Sequence, residues 1–232
     1  MAGNVVKRIV IPGELLTEKR KMLGDHVFQK DGKIFADCVG LAVEDDTRVK
    51  VIPLKGKYMP RVGDIVVGIV AREEYAGYLV DINAFYHAFI LKENILERNS
   101  KPQYRQRARQ PRIRQPMQHL DKGTIISAKI GEVDEINQVK LENIRIYHGG
   151  EILAISPVKT PRVIGKNNSM LEVLKRGTGC SILVGRNGYI WVKGGNVALL
   201  KEALQLIERE AHLENLTQKV ERFLSEQAKK FA

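Results

Sequence analysis

The chain has 232 residues, 44% of them hydrophobic, with 38 Lys and Arg against 27 Asp and Glu, for a net charge of +11 and a sequence pI near 9.6. That is enough apolar material to exclude global disorder, and the cationic excess favours a polyanionic partner, with nucleic acid first among them. The charged N-terminus reads as lacking a signal segment, no uncharged apolar run approaches the roughly 20 residues of a membrane span, and Cys38 and Cys180 form no C-x-x-C, so the expectation is a cytoplasmic protein without a disulfide scaffold or cysteine zinc site.

In chain order, Val5 to Ile11 is apolar-rich and stops at Pro12-Gly13. Val27-Phe28 and Ile34-Phe35 flank Asp31-Gly32, a strong two-residue hairpin signal. Val39–Val43 and Val49–Leu54 flank the acidic turn Glu44-Asp45-Asp46-Thr47. Residues 1–56 therefore predict a small β domain of roughly four strands, too small to be comfortable alone. Residues 57–147 predict a second all-β domain. Its strands begin at Ile65, Tyr78, Ala88, Thr124 and Val139, separated by glycine turns and one long insertion. Five short strands with that spacing point to a closed barrel of the oligonucleotide-binding type.

The insertion, residues 98–122, holds eight basic side chains against one acid, which is more than half of the net charge. Pro102, Pro111 and Pro116 exclude a helix or a central strand there. Arg105, Arg107, Arg109, Arg112 and Arg114 suit phosphate, because the guanidinium fork matches its oxygens and also stacks on bases. The competing reading is a solvated linker. From residue 148 onwards the pattern changes to β-α-α-β-β-α. Ser169-Met170-Leu171-Glu172 has the form of a capping box for a helix ending near Gly177, and Asn196 can cap a last helix. The apolar spacing Leu200, Leu204, Ile207 continues through Leu213, Leu216, Val220 and Phe223, as if the helix were extended.

This order, a small β domain, an S1-type barrel and a KH domain, resembles the S1/KH cap subunit of the archaeal exosome, the ribosomal RNA-processing protein 4 type. The resemblance rests on Val10-Ile11-Pro12-Gly13-Glu14-Leu15-Leu16, on Tyr58 to Val66, on Pro161-Arg162-Val163-Ile164-Gly165-Lys166 and on Gly185-Arg186-Asn187-Gly188. It implies a multidomain, mainly β fold with an α+β part, divided as 1–56, 57–147 and 148–232. It also implies a non-catalytic subunit without cofactor, three copies of which cap a hexameric ring of RNase-PH-like subunits. Such a cap captures single-stranded RNA for 3′–5′ degradation and processing. Two features depart from the family pattern: the fourth residue of the G-x-x-G loop is Asn168, and the 98–114 stretch is unusually rich in arginine.

By the same resemblance, Tyr78 and Phe89 occupy positions where S1-type domains stack bases. Tyr78 ranks first because a hydroxyl prefers a wet surface, and both could instead be barrel core. Phe85, Tyr86 and His87 are open between core and surface. Lys166 on the KH loop is a candidate phosphate contact. Arg186-Asn187 reads as an Asn-Gly hairpin turn packing one domain on another, and Trp191 as core. The five histidines are scattered with no metal-ligand spacing, and no G-x-x-x-x-G-K-[ST] is present. Glu73-Glu74 and Asp134-Glu135 read as solvated turns. A polynucleotide phosphorylase fragment would place KH before S1, the reverse of the order here. A free-standing S1/KH RNA chaperone or translation-associated protein is the remaining alternative.

Overall fold

A computed structural model describes residues 6–54, 56–96, 119–135, 138–211 and 215–230. They fall into two compact units, one ending at Gly56 and the other beginning at Lys57. In the first, β1 (Val6–Val10), β6 (Gly40–Glu44), β7 (Arg48–Pro53) and β3 (Met22–Leu23) lie side by side in that order. A second sheet runs β2 (Leu15–Thr17), β5 (Lys33–Ala36), β4 (Val27–Lys30). Asp31 and Gly32 join β4 to β5 with φ of 51° and 77°, the pair of left-handed residues a tight hairpin needs. The Asp45 carboxylate closes the β6–β7 turn by accepting from the Thr47 and Arg48 amides at 2.9 and 2.6 Å, and those bonds hold its pKa below the usual carboxylate range. Val10, Leu16, Ile34, Ala36, Ala42, Val49 and Val51 make the core. The unit has seven strands where the sequence suggests roughly four: its five apolar segments each form one, and β2 and β3 add two more, three and two residues long and too short for alternation to register.

The second unit begins with five strands that close on themselves in the order β10-β12-β11-β8-β9. They are β8 (Ile65–Glu73), β9 (Gly77–Asp81), β10 (Ala88–Leu91), β11 (Ile125–Val133) and β12 (Val139–Tyr147), with a short helix α1 (Lys92–Leu96) after β10. Closure is made by the parallel pairs Ala88–Val139 and Phe89–Lys140. Val66, Val70, Val80, Ile82, Ile90, Ile126, Ile130 and Leu141 alternate into the barrel.

The rest of the unit is a three-stranded sheet, β13 (Glu151–Ala154), β15 (Tyr189–Lys193) and β14 (Ser181–Val184), covered by helices. These are α2 (Thr160–Ile164), α3 (Ser169–Thr178), α4 (Val197–Glu210) and α5 (Leu216–Lys230), packed over Val163, Leu174, Ile190, Leu200 and Ile207. Asn196 caps α4 as its position suggests, its side chain accepting from the Leu199 amide at 3.0 Å. Two expectations need correction. Ser169 is not an N-cap: Asn168 holds that position with a left-handed backbone, while α3 ends at Thr178, near Gly177 as expected, with Gly179 as its C-cap. Gly177, in the last turn, lets α5 pack close, since a Cβ there would stand 2.7 Å from Leu224. The last apolar stretch does not extend α4 either. The chain turns at Asn215, with φ of 58°, and α5 packs back on α3 and α4, burying Val220 and Leu224. Leu213 lies outside the described residues.

Barrel and KH part form one compact unit, and the turn after β14 joins them. Asn187 is fully buried. Its Oδ1 accepts from the Val67 amide at 3.2 Å, and its Nδ2 donates to the Val67 and Ile82 carbonyls at 2.6 and 2.9 Å. Val67 lies beyond the last β8–β9 pair, Ile69–Asp81, so the amide side chain stands in for a missing neighbouring strand. The Arg186 amide adds a bond to the Ile65 carbonyl at 2.9 Å, and the Tyr189 hydroxyl donates to Asp81 at 2.9 Å. Burial and that carboxylate push the Tyr189 pKa up to about 12.

Asn187→Ala would strand three backbone groups at a site closed to water, each worth about 1–3 kcal/mol. The variant should lose about 3 kcal/mol or more in chemical denaturation, whereas Arg186→Ala, whose exposed side chain only faces Asp64 at 3.6 Å, should lose less than about 1 kcal/mol.

Candidate nucleic-acid interface

On β9 and β10 the two-residue period sends alternate side chains outward. Phe89 pairs in register with Leu79 on one side and Lys140 on the other, and Leu79 pairs with Arg72 of β8. Phe89 is half-buried because its ring lies over Gly77; a Cβ there would stand 2.7 Å from Phe89 Cζ and closer still to the Ile90 carbonyl. Glycine at 77 is what lets an aromatic ring lie along this face. At its upper end the β8–β9 turn carries Tyr75, which is 100% exposed. The sequence reading missed Tyr75; the available signal was an aromatic in the short polar turn Glu74-Tyr75-Ala76, where no core could claim it.

The cations of this face are already paired. Arg72 meets Glu74 at 2.8 Å, Lys140 meets Glu132 at 2.8 Å and Lys92 meets Glu73 at 2.7 Å. The Lys92 ammonium holds the Glu73 carboxyl below its ordinary range, while Glu132 and Glu73 raise Lys140 and Lys92. Such exposed pairs are weak and exchange readily for another anion. Glu73-Glu74 is thus an ordinary surface feature, consistent with its reading as a solvated turn.

Tyr78 does not line this face. It is 3% exposed, pointing inward with Val80 and Ile82. Its hydroxyl finds partners inside the protein rather than in water: it accepts from the Leu120 amide at 3.4 Å and lies 3.3 Å from His119 Nδ1. His119 in turn sits 3.7 Å from both Glu73 and Asp121. Leu120 is buried in the barrel core. Tyr78 therefore anchors the chain where it returns from the basic stretch. That stretch leaves from α1, directly after β10, and returns at His119, so both its roots stand at the same end of the barrel as Tyr75. Arg105, Arg107, Arg109, Arg112 and Arg114 lie outside the described residues.

Lys166 sits on a separate element, the exposed loop between α2 and α3. Gly165, Asn167 and Asn168 there have φ of 75°, 53° and 64°, so asparagine supplies the left-handed geometry usually left to the second glycine. Gly165 is required as glycine, since a Cβ would meet the Met170 amide at 2.7 Å. Phe85 and Tyr86 are 66% and 61% exposed on the β9–β10 turn, which resolves them as surface, and Lys57 lies over the Phe85 ring at 5.2 Å. Trp191 is core, its Nε1 donating to the Gly149 carbonyl at 2.9 Å. One histidine departs from the sequence reading: His26, Asp37 and Cys38 converge, with ligand atoms within 4.8 Å of one another.

A five-stranded barrel with Phe89 on its outer face, in one compact unit with a KH-type sheet and helices, defines a multidomain protein built on S1-type and KH folds. Residues 7–55 match the family described as the exosome RNA binding protein RRP4 N-terminal domain, and residues 150–198 match the KH domain. The chain is 37% identical to exosome complex component Rrp4 of Methanothermus fervidus, over 93% of this chain and 94% of that one. It is 36% identical to the Saccharolobus solfataricus protein of the same name, over 95% and 88%, and 35% identical to that of Methanobrevibacter smithii, over 94% and 71%. A crystal structure assigned as an exosome complex RNA-binding protein superposes with a TM-score of 0.63 at 30% identity, covering 76% of this chain and all of that one. The chain belongs to the Rrp4 family of archaeal exosome components.

Because Tyr78 is core, Tyr78→Ala should destabilise the barrel by about 3–5 kcal/mol, as large aromatic truncations do. Tyr78→Phe, which loses only the hydroxyl bonds, should cost about 1 kcal/mol in the same denaturation experiment.

Proposed function

We propose that this chain is a non-catalytic RNA-binding subunit of an exosome, holding single-stranded RNA and passing it to a ring of RNase-PH-like subunits that performs 3′–5′ degradation in the cytoplasm. Three copies would form the cap on that ring. The observation that carries the RNA reading is the outward face of β9 and β10, where Phe89 lies in register between Leu79 and Lys140 beneath an exposed Tyr75. An oligonucleotide-binding barrel uses this strand face and its adjoining turns to receive bases. Stacking accepts any base, which suits a protein that must thread RNA of every sequence.

The electrostatic part comes from elsewhere. With the cations of the face in local pairs, its net field is small, whereas residues 98–122 carry the bulk of the excess charge. Both roots of that stretch flank the aromatic face, so its arginines would gather phosphates beside the stacking surface. Lys166 and Arg162, exposed on the KH part, supply a second, weaker backbone contact. Family membership supports the assembly with a ring, since the relatives are exosome components by name.

Titration of a short unstructured RNA tests this reading. Phe89→Ala should lose about 1–3 kcal/mol of binding with an unchanged thermal melt. Replacing Arg105, Arg107, Arg109, Arg112 and Arg114 with serine should weaken binding and flatten its dependence on log salt. Unaltered affinity in both variants would overturn the RNA assignment. Recovery of the tagged chain from its native host without RNase-PH-like subunits in comparable amount would instead favour a free-standing RNA chaperone.

A further inference from the structure

The first unit contains a cluster outside the barrel face proposed above for RNA. His26 immediately precedes β4, and Asp37 and Cys38 immediately follow β5, so the hairpin brings residues eleven and twelve positions apart to one place. The Asp37 amide donates to the His26 carbonyl at 3.2 Å, and His26 Nδ1 stands 3.3 Å from Asp37 Oδ1. The three ligand atoms lie within 4.8 Å of one another. His26 and Cys38 are half-buried and Asp37 is exposed. Metal bonds of about 2.0–2.3 Å set tetrahedral edges near 3.3–3.7 Å, so rotamer adjustments of about 1 Å would close the set around one ion.

We propose that His26, Asp37 and Cys38 bind a divalent zinc-like metal ion, with water in the fourth position. One imidazole, one carboxylate and one thiolate form a borderline-soft donor set, which favours zinc over magnesium or calcium. Thiolate and carboxylate together neutralise the ion. Binding removes the Cys38 proton to solvent and forms the metal–sulfur bond.

The physical occasion for such a site is the size of the unit. Its core is limited to Val10, Leu16, Ile34, Ala36, Ala42, Val49 and Val51, with Val27 and Cys38 packed at the edge. Domains of this size commonly add a disulfide or a metal to so small a core. An ion here would clamp the open end of the β4–β5 hairpin, opposite the Asp31-Gly32 turn, and tie its strand ends to the Cys38 edge of the core.

The test uses the full chain, reduced and stripped of metal, titrated with cobalt(II) and then zinc(II). One equivalent of cobalt should produce a thiolate-to-metal charge-transfer band in the near ultraviolet together with the intense visible bands of tetrahedral cobalt. One equivalent of zinc should erase both. Cys38→Ser should abolish the charge-transfer band, although Cys180 is still present. His26→Asn, chosen because asparagine tolerates the left-handed backbone (φ 57°), should weaken zinc at least about tenfold in competition with a chromophoric chelator. Absence of a thiolate band at excess cobalt, or its persistence in Cys38→Ser, would overturn the proposal.

Discussion

The side-chain amide of Asn187 holds the second unit together. It behaves as a piece of β-strand: an acceptor and two donations directed at Val67 and Ile82, at a point where β8 has outrun β9. A barrel of five short strands leaves such a gap where unequal strands end, and a buried gap must be satisfied by some polar group. Because the group is supplied from the β14–β15 turn, sealing the barrel and fixing the KH sheet upon it are the same event. Gly185 permits the approach, since a Cβ there would lie 2.6 Å from the Val67 amide. The Asn83 side chain, donating to the Asn187 carbonyl at 2.9 Å, completes the joint from the barrel side.

On the function proposed above, stacking and charge would be divided between different parts of the chain. The strand face keeps an aromatic ring over a glycine, and its neighbouring cations sit in surface pairs that cost little to exchange. The long basic stretch needs no fold of its own to act electrostatically, because phosphate attraction depends on charge density rather than fixed geometry. It needs only secure roots. Tyr78 and Leu120 provide one of them from inside the barrel, and α1 the other. A buried tyrosine whose hydroxyl accepts from the Leu120 amide is well suited to pinning the chain where it enters β11.

The KH loop shows how one backbone geometry is reached by another residue. Asn167 and Asn168 both adopt positive φ and keep the turn between α2 and α3. The cost is an exposed amide side chain where a glycine would leave the backbone bare, so phosphate approaches the loop less closely than it would a glycine clamp. On the function proposed above, the barrel would therefore carry the larger share of the grip on RNA.

Local sequence determined what depends on neighbours along the chain. Asp31-Gly32 announces its hairpin, five alternating apolar runs announce the barrel strands, and Asn196 announces its cap. Each follows from propensity and period alone. Tertiary structure decided which way a residue faces and what it meets. Alternation could not say whether Tyr78 or Phe89 points outward, because a strand closed into a barrel buries one face and a single tyrosine is compatible with either. Helix spacing could not reveal that α5 turns back at Asn215 to cover Gly177, nor could residue spacing reveal that His26 meets Asp37 and Cys38 across a hairpin. Asn187 is the clearest instance: in sequence it is half of a common Asn-Gly turn, and only a strand end 120 residues away gives its amide a purpose. Contacts between distant segments depend on closure and register, which local patterns do not encode.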